Sequence, residues 1–110
     1  MIKSLRKIGK SVARHTRDAE ILIVAAGKPG LVTGEMLSPG VVVVDVGINV
    51  VGTELVGDVD FESARDVVAA ITPVPGGVGP LTNALLLSHL LRAATDQAEL
   101  GAAVAQGAML

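Results

Sequence analysis

Three short apolar runs, each followed by glycine or proline, divide the first three quarters of this chain. The first, Ile21–Ala26, ends at Gly27, and the second, residues 41–47, is interrupted only by Asp45. Continuous apolar runs between turn residues are typical of strands buried on both faces of a parallel sheet. Four successive valines in the second run favour a strand further, since β-branched side chains suit extended backbone. We expect a third buried strand at residues 70–72.

Between the second and third strands the pattern predicts a hairpin and a short helix. Residues 50–56 have the alternation of a small hairpin with Gly52 in its turn. Asp60 is a good N-cap for a helix over residues 61–69, because a carboxylate oxygen can accept from the free amides of the first turn.

After the third strand comes a longer helix. Pro80 fits its first turn, where a missing N–H would have had no partner, and residues 81–94 carry a broad apolar face. The residues beyond it, 98–110, are rich in alanine and glycine and have weak periodicity. We expect them to form a loosely held terminus.

The first 18 residues form a basic amphipathic segment. Ile2, Leu5, Ile8 and Val12 recur at helical spacing among six lysines and arginines that precede the first acid. Three interpretations remain open: a solvated surface helix, a helix that targets a membrane surface or an organelle, and an atypical start to a shortened chain. A secretory signal is excluded because no apolar region follows the basic residues.

Strands alternating with other elements predict an α/β fold with a parallel sheet. In such sheets ligands collect at the carboxyl ends of the strands. Here those ends carry the glycine-bearing stretches 27–30, 47–49 and 73–79. The third stretch is stiffened by prolines and opened by glycines, so it is either a binding surface or a plain connection to the helix. Three such loops at one edge favour a cleft that admits a flat ligand.

Composition narrows the function classes. The chain has 110 residues, no cysteine, one aromatic residue and a formal net charge of -2. This length allows one domain, and the absence of cysteine excludes disulfides and thiolate chemistry. A chain with this charge and one aromatic side chain is not expected to bind nucleic acid. No apolar run approaches the length of a membrane span, so we expect a cytoplasmic protein, with organelle targeting as the alternative.

No complete catalytic group is recognisable. The glycine that a phosphate-binding loop would need ahead of Gly9 is absent, and the chain contains no Gly-x-Gly-x-x-Gly. His15 and His89 lack metal-ligand spacing, and we predict no metal site. Asp45, at the end of the second strand, either caps the following backbone turn or faces a ligand. The sequence therefore favours a binding surface over a self-sufficient enzyme.

Four ordered blocks carry a resemblance to a known family. They closely resemble the bifunctional methylenetetrahydrofolate dehydrogenase / methenyltetrahydrofolate cyclohydrolase family, and the likeness covers roughly residues 12–94. The blocks are Ala19–Gly30, Val43–Asn49, Val56–Val59 and the signature-like Pro75-Gly76-Gly77-Val78-Gly79-Pro80-Leu81-Thr82.

This resemblance implies a partial Rossmann-like parallel sheet with flanking helices, a role in folate one-carbon metabolism, and NADP, or else NAD, as cofactor. The family oxidises 5,10-methylenetetrahydrofolate and hydrolyses the methenyl product to 10-formyltetrahydrofolate, so it combines an oxidoreductase with a hydrolase. By the same resemblance Ile48 and Thr82 match cofactor-binding positions. The positions that match the folate side of the cleft are Pro75, Gly76, Gly77, Val78 and Gly79.

The same resemblance implies what this chain lacks. The family's catalytic Tyr-x-x-x-Lys lies in its first domain, and this chain has no tyrosine. We therefore assign no catalytic residue and expect a fragment with little activity alone: a basic segment (1–18), a partial NAD(P)-binding domain (19–96) and a tail (97–110). The alternative is a non-catalytic module that binds a nucleotide or pairs with another subunit, since the family forms homodimers.

Overall fold

The computed structural model describes residues 2–5 and 12–107, with side chains from residue 12 onward. Contacts divide it into two units, one ending at Gly79 and one beginning at Pro80. The elements are β1 (Ile2–Leu5), α1 (Val12–Arg17), β2 (Ile21–Val24), a 3-10 helix (Gly34–Met36), β3 (Val42–Asp45), β4 (Asn49–Val51), β5 (Glu54–Val56), α2 (Phe61–Ala64), β6 (Ala70–Ile71) and α3 (Val78–Ala105).

The described sheet has four parallel strands in the order β1-β2-β3-β6. Ile21 of β2 pairs with Val42 of β3, and Val24 pairs with Asp45. Val42 in turn pairs with Ala70 of β6. The predicted α/β class and parallel sheet are confirmed. Since all four strands run the same way, their carboxyl ends lie along one edge of the sheet.

The prediction that these strands are buried on both faces is wrong. Leu22, Val24 and Val43 are fully buried, whereas Ile21 and Val42 are each 37% exposed. Successive side chains of a strand point to opposite faces, and one face carries the core. In β6, Ala70 is exposed and Ile71 is half-buried. The core residues are Ala19, Leu22, Val24, Val32, Leu37, Val41, Val43, Val59 and Ala64.

The prediction of a helical segment at the start of the chain is also wrong for residues 2–5. Residues 2–5 form strand β1, paired in parallel with β2 in the register Ile2–Ile21 to Leu5–Val24, and not a helical turn of an amphipathic segment. Hydrogen bonding to the neighbouring strand decides this conformation, and periodicity within one segment cannot reveal it. Helix α1 follows at Val12–Arg17. The remainder of the predicted basic segment, residues 6–11, lies outside the described residues.

The predicted hairpin is confirmed, and helix α2 is shorter than the helix predicted over residues 61–69. Strands β4 and β5 pair antiparallel around Gly52, which has a φ of +62°. The Asp60 carboxylate accepts from the Ser63 amide at 3.4 Å at the start of α2. The residues after α2 form turns, in which the Val67 and Val68 amides donate back to the Ala64 carbonyl. The chain then leaves the helical path, since Ala69 donates to the Val41 carbonyl at 2.9 Å, ahead of β6.

Helix α3 is longer than predicted. It begins at Val78, two residues before Pro80, and continues to Ala105 through most of the expected loose tail. The alanine, leucine, glutamate and glutamine residues of this stretch have high helix propensity, which outweighs their weak apolar periodicity. In the described part of the chain, no helix is both long and apolar enough to cross a membrane.

Candidate functional site

Two buried aspartates connect the loops at the carboxyl edge of the sheet. Asp45 is the last residue of β3 and is 3% exposed, and Asp58 follows β5 and is 0% exposed. A buried carboxylate is stable only where donors surround it. Every buried side-chain oxygen or nitrogen in the described part of the chain has a hydrogen-bond partner. Their partners therefore explain how the loops are held.

Asp58 accepts four hydrogen bonds from two segments of the chain. The backbone amides of Ala26, Gly27 and Lys28, in the loop after β2, donate to its oxygens at 2.7, 2.9 and 2.9 Å. The side-chain amide of Asn49, the first residue of β4, donates to Oδ1 at 2.8 Å. One carboxylate thus joins the loop after β2 to the start of β4.

These bonds also set the charge state of Asp58. Burial alone raises the pKa of this carboxyl, because it disfavours the charged form. The hydrogen bonds from Asn49 and from the three backbone amides favour the carboxylate, and together they lower the pKa below its ordinary value of 3.8. Asp58 is therefore a carboxylate at neutral pH.

Acidification should weaken the fold through Asp58. A carboxyl group whose pKa is lower in the folded state contributes its full stabilisation of the fold at pH values above its unfolded pKa, here 3.8. That contribution is lost as the pH falls through the lower pKa of the folded state. We expect the urea midpoint to decrease from about pH 5 towards about pH 3, and less steeply for Asp58→Asn, which cannot titrate there. Equal slopes for the two proteins would contradict this assignment.

Asp45 binds a second set of amides. Its Oδ1 accepts from Gly47 at 2.9 Å and from Asp58 at 3.1 Å, and its Oδ2 accepts from Val59 at 3.0 Å. Its own amide donates to the Thr72 hydroxyl at 2.9 Å, which ties the end of β6 to the same point. The sequence left two roles open for Asp45. Its side chain caps the backbone turn that follows β3, and it also lines a pocket.

Two glycines allow the carboxylates to approach the backbone. A Cβ on Gly57 would overlap the Asp45 carboxylate, and a Cβ on Gly47 would overlap the Asp58 side chain. Neither glycine has a positive φ. The requirement is therefore one of space, and any other residue would displace an aspartate from its amides.

The loop from Pro73 to Gly79 is shaped by glycine for a different reason. Gly76 has a φ of +96°, a backbone region that side-chain-bearing residues rarely adopt. At Gly77 an added Cβ would overlap the Pro73 carbonyl oxygen. Pro75 and Gly76 are exposed. The loop therefore presents bare backbone at the edge of the sheet, next to the end of β6.

A pocket of about 430 Å³ opens at this edge. Its polar lining consists of Asp45, Asp60, Glu62 and Thr72. Its walls include Pro29, Gly30, Val56, Gly57, Val59, Phe61 and Val74. No group of three histidine, aspartate or glutamate side chains among the described residues could hold a metal ion. The pocket is suited to an organic ligand with both apolar and polar surfaces.

The predicted site residues lie in three stretches of the chain. Ile48 follows β3, is 62% exposed and precedes Asn49 of the aspartate network. The predicted folate-side positions, 75–79, lie in the loop after β6 and the first turn of α3. Thr82 lies further along α3, in the second unit. Sequence reasoning assigned no role to Asp58 or Asn49, although Gly57-Asp58 after a hairpin was a usable signal for a buried cap.

The sequence matches the family described as tetrahydrofolate dehydrogenase/cyclohydrolase, NAD(P)-binding domain, over residues 1–98. It is 55% identical over 94 residues to the Drosophila melanogaster bifunctional methylenetetrahydrofolate dehydrogenase/cyclohydrolase, mitochondrial, covering 80% of this chain and 30% of that protein. It is 59% identical over 88 residues to the bifunctional protein FolD of Rhodopirellula baltica, covering 80% of this chain and 29% of that one.

Solved structures agree with these matches. A bifunctional FolD enzyme from Campylobacter jejuni superimposes with a TM-score of 0.77 at 47% identity, covering 81% of this chain and 32% of that one. The Trypanosoma brucei enzyme, described as complexed with NADP cofactor and inhibitor, gives a TM-score of 0.69 at 49% identity over 72% of this chain and 29% of that one. This chain spans about 30% of the length of the curated relatives it matches.

Proposed function

Because this chain belongs to the tetrahydrofolate dehydrogenase/cyclohydrolase family and matches its NAD(P)-binding domain, we propose that the carboxyl edge of its sheet binds NADP, with NAD as the alternative. The observation that supports this most is the pair of buried aspartates. They hold three strand-end loops in place while leaving Ile48 62% exposed. Such an edge is where dinucleotides bind in doubly wound sheets.

The residues present fit such a cofactor. Gly27 and Gly30 have positive φ and nothing within 4 Å of the place a Cβ would occupy, so a flat group can approach their backbone. Ile48 would contact the dinucleotide through its backbone, and Thr82 would lie near the nicotinamide carboxamide. A cofactor held there would supply the acceptor for the hydride that leaves the folate substrate.

On the other side of the cleft, we propose that residues 75–79 line the place of a reduced folate. Bare backbone at Gly76 and Gly77 lets a pterin ring approach without a Cβ in the way. The reaction would be the oxidation of 5,10-methylenetetrahydrofolate, followed by hydrolysis to 10-formyltetrahydrofolate. These 110 residues contain no tyrosine and no complete proton-transferring group, so they would bind and orient without catalysing either step.

Calorimetric titration of the 110-residue chain with NADP tests this proposal. We expect one site with a Kd below about 1 mM, weaker binding of NAD, and no NADP reduction when methylenetetrahydrofolate is added.

Gly77→Ala should weaken binding of a folate analogue by about tenfold or more, because the new Cβ meets the Pro73 carbonyl. Gly101→Ala, in open space on α3, is the matched control and should bind as the unmodified chain does.

A second function is favoured by the exposed leucines of α3. Leu86, Leu87, Leu90 and Leu91 are each 65–70% exposed. Under this alternative the chain is a non-catalytic module that pairs with another subunit, as a homodimer or with a catalytic domain. The absence of NADP and folate binding, together with a dimer in sedimentation, would favour this function over the first.

A further inference from the structure

We propose that Asp58 is a positioning residue for the dinucleotide: through Asn49 it holds Ile48 at a fixed spacing from the loop 26–28. This inference deepens the proposed function and rests on it. Asp58 does not itself reach the ligand surface, since it is fully buried. Its role is to make two neighbouring ligand-facing loops behave as one rigid edge.

The geometry of Asp58 is that of a clamp between two strand ends. Its Oδ2 receives the Ala26 and Gly27 amides at 2.7 and 2.9 Å. Its Oδ1 receives the Lys28 amide at 2.9 Å and the Asn49 side-chain amide at 2.8 Å. Both oxygens therefore bond to the loop after β2, and one of them also bonds to Asn49, which begins β4 directly after Ile48. A carboxylate with two donors on each oxygen has no freedom to rotate without breaking bonds.

Hydrophobic packing does little to hold these loops. Gly27, Lys28 and Ile48 are exposed, and Ala26 is only half-buried. The spacing of the two loops is consequently set by the hydrogen bonds beneath them. Asn49 is the residue next to Ile48 along the chain, so an Asn49 side chain that is fixed restricts the Ile48 backbone as well.

Only a short carboxylate can make these contacts. The substitution Asp58→Asn would keep one acceptor oxygen and replace the other by an NH₂ group. That group is a donor and would face other N–H donors, with which it cannot form a hydrogen bond. Glutamate would add a methylene to a fully buried side chain that lies where Gly47 leaves space for it. Asp58→Asn therefore removes the clamp with the least change of shape.

The first test measures loop order and NADP binding in Asp58→Asn, with Asp66→Asn as control. Asp66 has an 89% exposed side chain, and its replacement changes the net charge equally. In Asp58→Asn without cofactor, we expect hydrogen exchange at Ala26, Gly27 and Lys28 to accelerate by about tenfold or more, and the Ile48 amide resonance to shift. NADP affinity, measured where both variants are fully folded, should fall by about tenfold or more, and Asp66→Asn should not change it.

The second test exchanges the two partners. Asn49→Asp places a carboxylate within 2.8 Å of the Asp58 oxygen, and like charges at that distance repel. The double variant Asn49→Asp/Asp58→Asn restores an amide facing a carboxylate, now with the NH₂ group at position 58 as the donor. The amide oxygen at position 58 can then accept from Ala26 and Gly27, so that the link between the two segments is re-formed and only the Lys28 bond is lost. We expect the double variant to bind NADP about tenfold more tightly than Asn49→Asp alone, and a role of Asp58 in stability alone would not give this recovery in fully folded protein. If Asn49→Asp does not fold, Asp58→Asn decides the matter alone.

Three results would overturn this inference. They are unchanged NADP affinity in folded Asp58→Asn, an equal loss in Asp66→Asn, and no recovery in the double variant. Failure of the unmodified chain to bind NADP would instead refute the proposed function. The exchange and resonance measurements need no cofactor, so they would still show whether Asp58 couples the two loops.

Discussion

Replacing Asp45 with alanine should lower the free energy of unfolding by about 4 kcal/mol, because a buried carboxylate that satisfies three buried amides is lost. The amides of Gly47, Asp58 and Val59 all belong to buried residues and all donate to Asp45. Each unsatisfied buried donor costs about 1–3 kcal/mol. Since a domain of this size is stable by about 5–15 kcal/mol in total, chemical denaturation should show a large loss or a chain already unfolded in water.

Asp45→Asn and Asp66→Ala provide the comparison. Asparagine keeps one acceptor oxygen, so Asp45→Asn should lower the free energy of unfolding by less than Asp45→Ala does. Asp66 is an exposed acid that lies 3.8 Å from the Arg65 guanidinium, and its replacement should change stability by no more than about 0.5 kcal/mol. A loss below about 1 kcal/mol for Asp45→Ala would mean that the three amides find other partners, and the network would then not hold the edge of the sheet.

Gly57→Ala should lower the free energy of unfolding by about 3 kcal/mol, although the substitution adds a single methyl group. The new Cβ would overlap the Asp45 carboxylate and lie 3.0 Å from the Val74 side chain. Relief of that overlap has to move Asp45 away from the amides it satisfies. The cost therefore combines overpacking with lost hydrogen bonds, and urea denaturation measures their sum.

Gly101→Ala is the matched control for this substitution. Gly101 lies inside α3 with nothing within 4 Å of a built Cβ and no positive φ. Alanine there should stabilise the helix by about 0.5–1 kcal/mol, since glycine loses more conformational entropy on folding. If both glycine substitutions had the same effect on stability, helix propensity and not crowding at Asp45 would be the operative cause.

Long-range pairing explains where prediction of the fold succeeded and failed. The runs at residues 21–26 and 41–47 contain strands β2 and β3 because β-branched and apolar residues in succession favour extended backbone in almost any surroundings. Residues 2–5 have a helical apolar spacing, yet they form β1 because β2 offers its free edge in register. The shortened α2 has the same origin, since Ala69 bonds to the Val41 carbonyl.

Local chemistry explains which parts of the candidate site could be predicted. The backbone shape of residues 75–79 could be predicted because proline and glycine act through their own geometry, and Gly76 does adopt positive φ. The folate-binding role of these residues came from resemblance, as did the roles of Ile48 and Thr82, and all of them stay predictions. Asp58 was missed because its importance depends on amides about thirty residues earlier in the chain, at positions 26–28.

The sequence by itself determined strands β2, β3 and β6, the hairpin turn at Gly52, the cap at Asp60, the glycine-bearing strand ends and the family. Each of these depends on a residue and its close neighbours, or on blocks in a fixed order. Only the tertiary structure decided that β1 is a strand, that one face of the sheet carries the core, and that Asp45 and Asp58 hold the strand-end loops together. Those features depend on donors and acceptors that are distant in the chain and meet only after the sheet has formed.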